Sequence, residues 1–498
     1  MLATISSATL VGVDGRPVSV EVHVADGLPG FTIVGLPDAS CREARDRVRA
    51  ALVSSGRTWP LKRITVNLAP GSMPKIGAGL DLPIAIGVLM ASGQIPATSD
   101  LGAFGELGLD GSVRAVPGAL PLADAIPADR VLVPAIDAHV VGLVIGPRAC
   151  PVHALSDVVA SLAGNCPWPD PPPSPVAPAI PEGPDMADVR GQPAARLALE
   201  YAAAGGHHLL LVGPPGAGKT MLARRLPGLL PVLDPDQAME VTRVHSAAGL
   251  SLPHGLVWQP PFRAPHHSAS MAALVGGGSG SARPGEVSAA SNGVLFLDEL
   301  GEFAPSVLDA LRQPLEEGVV RVARAGGTTE QPARVLLVAA MNPCPCGVGG
   351  EIGCRCPPHT RARYARRISG PLLDRIDLMV HVDRPQAGDL LGGAAEPSSA
   401  VAERVEVVRS LARERGVRCN AELHGERLER AAPLEPDARD VLEQALLNGQ
   451  LSGRGLRRTL CVARTIRDLD DAGPSLRPAD VLRAIGLRAR VPLGGSDG

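Results

Sequence analysis

The chain has 498 residues, room for two to four domains of about 150 residues each, which excludes a single small binding module. Apolar residues make up 45% and charged residues 20%, and no stretch approaches the roughly 18 uninterrupted apolar residues of a membrane span, so a transmembrane protein is not expected. With 48 basic against 51 acidic residues the net charge is −3, and any surface for a polyanion has to be local.

The N-terminal MLATISSATLVGVDG has no basic segment ahead of its apolar run and does not read as a secretory signal, which makes the cytoplasm the expected compartment. Strand-like runs at 18–24, 31–35 and 64–68, with a charged helical pattern at 40–54, predict an α/β or α+β domain. Nine prolines then fall between Pro167 and Pro184. That density removes backbone donors and favours extended chain, so the stretch reads as a semi-rigid linker. Beyond it a helical pattern at 194–204 precedes an apolar strand at 208–212. From residue 401 onward, apolar spacing at 401–411, 438–447 and 456–469 predicts a small helical bundle.

The strand at 208–212 runs into Gly213-Pro214-Pro215-Gly216-Ala217-Gly218-Lys219-Thr220 and a helical run at 221–226. In a G-x-x-x-x-G-K-T loop between strand and helix, backbone N–H groups curl round phosphates at the helix N-terminus. The spacing gives Lys219 the reach to the β and γ oxygens and puts Thr220 on Mg²⁺. Lys219 is one of only three lysines, with Lys62 and Lys75, against 45 arginines, and ammonium and guanidinium are not interchangeable at a phosphate site. A second apolar strand, Gly293-Val-Leu-Phe-Leu, ends in Asp298-Glu299. Alone this pair would read as a solvated strand end. Beside a phosphate loop, Asp298 suits a water-mediated Mg²⁺ ligand and Glu299 the base for an attacking water.

Three further groups stand out. The strand at 334–340 ends in Met341-Asn342-Pro343, where Asn342 is either a turn former or a γ-phosphate sensor. Cys344-Pro-Cys346 and Cys354-Arg-Cys356 suit a tetrahedral structural Zn²⁺ better than disulfides in a reducing compartment. Arg355, Arg361, Arg363, Arg366 and Arg367 follow with no acid among them, a candidate DNA-backbone contact or a solvated helix face. A hairpin pattern at 319–329 carries Arg321 and Arg324.

These residues in this order resemble the AAA+ ATPases, and within them the Mg-chelatase-like group. The resemblance is closest to the ComM/YifB family, associated with DNA branch migration during natural transformation. It rests on PFRAPHHSAS (261–270), GGGSGSARPGEVSAASNGVLFLDEL (276–300), RQPLEEG (312–318), RYARRISGPLLDRIDL (363–378) and LSGRGLRRTLCVARTIRDL (451–469), and spans nearly the whole chain. It implies an α/β P-loop AAA+ core at 186–385 and a C-terminal helical lid at 386–498. Ahead of the linker at 166–185 it implies an α+β Lon-protease-like (S5-type) domain at 1–165. By the same resemblance Asn342 is sensor 1, Arg375 an arginine finger acting in trans, and Arg454 the sensor 2 arginine, with Arg457 and Arg458 as competitors. The hairpin would face the pore of a ring, bringing Arg321 or Arg324 to DNA.

Lon proteases carry a Ser–Lys dyad. Here the nucleophile position falls on Gly79 and the base position on Leu120; without both there is no acyl-enzyme chemistry. The domain is expected to be structural or substrate-guiding, with Lys75 at the surface or serving the fold. The expected protein is therefore a Mg²⁺- and ATP-dependent motor, a homo-hexamer acting on DNA, with recombination proteins as partners and no membrane. A chelatase-like remodeller of a protein partner and an ATP-dependent protease are the rivals.

Overall fold

The computed structural model describes residues 1–498 except 99, 171–182, 253–254, 278–282, 325–326, 349–353, 392, 394, 471–472 and 489–498. Two long strands, β1 (Leu2–Val11) and β2 (Asp14–Ala25), open it as an antiparallel hairpin whose register runs from Leu2 opposite His23 to Val11 opposite Asp14. In β2, Val18, Val20, Val22 and Val24 are buried while Glu21 and His23 face outward, the period-two pattern of a sheet covered on one face. The strands β3 (Gly30–Val34), β4 (Arg63–Ala69) and β5 (Leu101–Ala103) join this sheet, and β6 (Glu106–Leu107) with β7 (Val113–Arg114) forms a small side hairpin. With β8 (Arg130–Pro134) and β9 (Ala149–Val152) the sheet has seven strands in the order β3-β4-β2-β1-β5-β8-β9. Helix Ala39–Ser54, started by Asp38 accepting from the Cys41 N–H at 2.8 Å, and the wholly buried helix Asp81–Ala91 pack against it.

The second sheet is parallel throughout, in the order β11-β12-β15-β10-β16. Its strands are β10 (Leu209–Val212), β11 (Phe262–Arg263), β12 (Val294–Leu297), β15 (Leu336–Met341) and β16 (Leu378–His381). Every residue of β10, β12 and β15 is buried, which is why these strands are continuous apolar runs rather than alternating ones. Leu209, Leu211, Phe296, Val338 and Ala340 line one face, while Leu210, Val212, Leu295, Leu297 and Met341 line the other. The hairpin β13 (Val319–Arg324) and β14 (Gly327–Pro332) stands outside this sheet.

Five helices, Ser398–Glu414, Gly425–Ala431, Pro436–Leu447, Gly453–Leu469 and Pro478–Arg488, form the C-terminal unit. Its apolar residues belong to the same core as helix Pro193–Gly205. The Met186 N–H donates to Ser398 Oγ at 2.8 Å, and the Ser398 N–H to Asp185 at 3.0 Å. The chain leaving the proline-rich stretch is thus tied at once to the first helix of the C-terminal unit. Among the described residues no helix is long and apolar enough to cross a membrane.

One local expectation changes, and the two-way reading of Lys75 resolves in favour of the fold. The helix after the phosphate loop is short, Lys219–Ala223, followed by a separate 3₁₀ turn at Leu226–Leu229, because Pro227 cannot continue the hydrogen-bond ladder. Lys75 is not at the surface: it is fully buried, with Nζ donating to the carbonyls of Pro70 and, at 2.8 Å, Met73. Burial lowers its pKa. Its role is to fold the loop after β4.

Candidate nucleotide site

The site lies at the C-terminal edge of the parallel sheet, where the loops after β10, β15 and β12 meet. Gly213 has to be glycine: a Cβ there would sit 2.1 Å from the Val382 carbonyl oxygen. Gly216 (φ +78°) and Gly218 (φ +89°) provide the left-handed turns that curl the loop. Between them Pro214, Pro215 and Ala217 shape its wall, with the Ala217 N–H donating to the Pro214 carbonyl at 3.3 Å. Lys219 Nζ folds back into this cradle, donating to the carbonyls of Gly213 (2.6 Å) and Pro214 (2.9 Å) and to Asn342 Oδ1 (3.2 Å). Burial lowers the Lys219 pKa, opposed by the charges of Asp298 and Glu299.

Thr220 Oγ1 donates to Asp298 Oδ2 at 2.6 Å. A hydroxyl and a carboxylate oxygen in contact at the end of a phosphate loop are the donor set a Mg²⁺–phosphate group requires, so the residues fit that ligand. Glu299 follows with φ +52°, a left-handed conformation rarely adopted by a side-chain-bearing residue and worth about 1–3 kcal/mol of strain. That turn separates the two carboxylates: Asp298 faces Thr220, and Glu299 Oε2 lies 3.2 Å from His267 Nδ1. His267 in turn has its ring 4.1 Å from that of His266 and edge-on to Phe303. His267 is a site residue that reading the motifs did not single out. It sits beyond β11, and only the pairing of β11 with β12 brings it beside Glu299.

Within the single chain the four arginines meet different partners. Arg375 is largely buried within its own chain, donating to the carbonyls of Arg312 (3.0 Å) and Pro371 (2.7 Å) and to Glu316. Arg454 is exposed, and its Nη2 lies 3.8 Å from the same Glu316. The two therefore converge on one carboxylate, and neither has a hydrogen bond to the phosphate loop among the described residues. Arg457 donates to the Leu423 carbonyl at 3.4 Å. Arg458 donates to Asp377 Oδ1 (2.6 Å) and to the Arg375 carbonyl (2.7 Å), joining the C-terminal unit to the start of β16. Asp377 also accepts the His208 N–H at 3.0 Å, so this buried junction touches the strand that feeds the phosphate loop.

The sulfur atoms of Cys344, Cys346, Cys354 and Cys356 all lie within 4.8 Å of one another. In the basic segment, Arg363 and Arg366 are exposed, while Arg361 is half-buried with Nε unbonded. Arg367 is occupied, donating to the Gly301 carbonyl (2.7 Å) and Glu302 (2.9 Å). Arg321 is held between Glu317 and Glu330, so its charge is already matched in the single chain. Arg324 pairs with Gly327 through the backbone at the end of the hairpin; its side chain lies outside the described residues.

In the first domain, a Cβ at Gly79 would meet only Val116, at 3.7 Å. A Cβ would be accommodated at this position by ordinary van der Waals contact, and the sequence places none there. Leu120 is fully buried, its N–H donating to Ser246 Oγ at 3.4 Å, where helix Ala119–Ala125 packs on helix Pro235–Ala248. The position that would need a basic side chain is thus used for docking on the second domain.

A phosphate loop after β10, an amide after the adjacent β15 and paired carboxylates after β12 define a P-loop ATPase core of the AAA+ kind. A family model described as magnesium chelatase, subunit ChlI, matches residues 185–390; one described as subunit ChlI of Mg-chelatase matches 20–136, and one for its C-terminal part 395–488. An uncharacterized protein of Mycobacterium tuberculosis is 46% identical over 479 residues, covering 93% of this chain and 94% of its own. Protein YifB of Escherichia coli is 44% identical over 478 residues (95% and 94%), and competence protein ComM of Haemophilus influenzae 44% over 509 residues (99% and 98%). The chain belongs to the ComM/YifB family of Mg-chelatase-like AAA+ ATPases.

Proposed function

We propose that the protein is a Mg²⁺- and ATP-dependent motor that works as a homo-hexamer, translocates on DNA and promotes branch migration in recombination or natural transformation. The observation that carries the proposal is the convergence of Lys219, Thr220, Asp298, Glu299 and Asn342 at one sheet edge. The DNA substrate is taken from likeness to a protein named for competence, 44% identical across 99% of this chain. In this reading Lys219 and the loop N–H groups hold the phosphates, Thr220 and Asp298 hold Mg²⁺, and Asn342 senses the γ-phosphate. Glu299, oriented by His267, takes the proton of the attacking water. Bound Mg²⁺–ATP supplies the phosphoryl group and the ion that neutralises its charge.

Arg375 leaves Glu316 when a neighbouring subunit presents its nucleotide, and acts there in trans. The C-terminal helices serve as the lid, with Arg454 as sensor 2. Arg361, Arg363 and Arg366 meet the DNA backbone, and the hairpin with Arg321 and Arg324 faces the pore. The N-terminal domain is of Lon-protease type without the dyad and guides substrate in the cytoplasm, where recombination proteins are the expected partners. Zn²⁺ occupies the four-cysteine loop.

The test is steady-state ATPase activity with no DNA and with single-stranded, duplex or four-way-junction DNA at two salt concentrations, with Glu299→Gln as the blank. Salt-sensitive stimulation by DNA supports the motor. Turnover indifferent to every DNA favours the second reading, a remodeller of a protein partner, whose support is that all three matching family models describe a Mg-chelatase subunit.

A further inference from the structure

Zinc bound by four thiolates at about 2.3 Å sets the sulfur atoms about 3.8 Å apart, the edge of the tetrahedron. Cys344 and Cys346 lie 3.2 Å apart, Cys344 and Cys354 3.6 Å, and Cys346 and Cys354 3.7 Å, with Cys356 completing the group. Cys346 is exposed and Cys354 and Cys356 are half-buried, so apolar burial does not account for drawing four thiols to one point.

The position of this cluster matters as much as its geometry. Cys344 stands two residues beyond Asn342, whose Oδ1 receives the Lys219 ammonium. Gly347, with φ +80°, lies so close to the wall of the phosphate loop that a Cβ there would come within 2.6 Å of Pro215 Cδ. On the far side of the loop, helix Pro358–Ala365 lays Tyr364 on Gly301, where a Cβ would come within 2.6 Å of the ring. One arm of the cysteine loop thus rests on the phosphate loop and the other on the turn that follows Glu299.

Resting on the assignment of Zn²⁺ to these four cysteines, we infer that the metal centre is a strut of the nucleotide site: by closing the loop it holds Asn342 and the Pro215 wall in working register, so ATP turnover depends on the metal although no thiol touches the nucleotide. These cysteines are positioning residues. Metal bonds that close a loop remove its conformational freedom in advance, and a misplacement of the sensor of about 1 Å is enough to slow the chemical step.

The experiment uses the full chain and its Cys354→Ser/Cys356→Ser variant, with Cys166→Ser, an exposed thiol elsewhere, as control. Metal content is measured by elemental analysis, affinity with a fluorescent ATP analogue, and turnover by phosphate release. About one zinc per chain is expected in the native protein and in Cys166→Ser. The double variant should hold none, bind the analogue nearly as well, and turn over ~10–100-fold more slowly, the range for lost metal-shell interactions. If the variant fails to fold, the native protein is stripped with a chelator and refilled with Zn²⁺, which should restore turnover, or with Co²⁺, which should give the absorption of a tetrahedral tetrathiolate site. Zinc that is present but lost without change in turnover overturns the strut and leaves the metal centre standing. A native protein that binds no zinc overturns the metal assignment and the strut with it.

Discussion

Replacing Arg458 by Met separates two roles for the arginine-rich start of helix Gly453–Leu469. The substitution keeps an apolar stem of similar length and removes a guanidinium that donates to Asp377 at 2.6 Å and to the Arg375 carbonyl at 2.7 Å. Asp377 is only 3% exposed and would keep the His208 N–H at 3.0 Å, with Arg488 at 3.8 Å and His207 Nδ1 at 3.9 Å. Removing one partner of a buried pair costs about 3–5 kcal/mol because the other charge is left uncompensated; with Arg488 nearby, the lower end applies. At about 2–4 °C per kcal/mol for a unit of this size, the transition of the second domain should fall by about 6–12 °C in differential scanning calorimetry. Asp377→Asn added to Arg458→Met should recover part of that loss, since the uncompensated carboxylate is then gone. An unchanged transition with ATP turnover abolished would refute the reasoning and place Arg458 in the nucleotide chemistry.

Glu299→Gln should bind ATP normally and lower turnover by ~10²–10⁴-fold, and full turnover would remove Glu299 as the base. His267→Ala should lower kcat with KM nearly unchanged, because His267 positions Glu299; a raised KM at constant kcat would put it on the nucleotide instead. Mixing Arg375→Ala with Lys219→Ala subunits should partly restore ATPase activity if the arginine serves a neighbour, and absence of rescue at every ratio would count against a shared site. His207 and His208 are pushed by burial from 6.5 to about 4. The unfolded chain therefore takes up protons in that window that the folded chain does not, and stability should decline as pH falls from 6.5 towards 4. His207→Gln/His208→Gln should flatten that decline in denaturation midpoints compared at pH 7 and pH 5.

Legibility in the sequence followed how local each feature is. The phosphate loop is one strand, one turn and one helix start in succession, so its spacing alone carries Lys219 and Thr220 to their places. Asp298 was readable because a buried parallel strand is a continuous apolar run, and its end is visible where Leu297 gives way to carboxylates. Glu299's left-handed turn was not readable, since no glycine marks it. His267 was hidden for a different reason: β11 has only two residues, too short for any periodic signal, and its neighbour in the sheet lies about thirty positions away.

Charge partners were the least legible feature of all. Arg375, Arg454, Arg457 and Arg458 look alike in the sequence, yet one faces Glu316 from within, one from solvent, one reaches a carbonyl, and one neutralises a buried aspartate. The difference lies in which element each arginine meets after folding, and a chain with 45 arginines offers no contrast to reveal it. Lys75 makes the same point from the other side: a lysine kept in an arginine-rich chain marked a special position, but its short carbonyl contacts serve a loop of the first domain rather than chemistry. Rarity indicated that a residue was constrained; only the surrounding backbone showed by what.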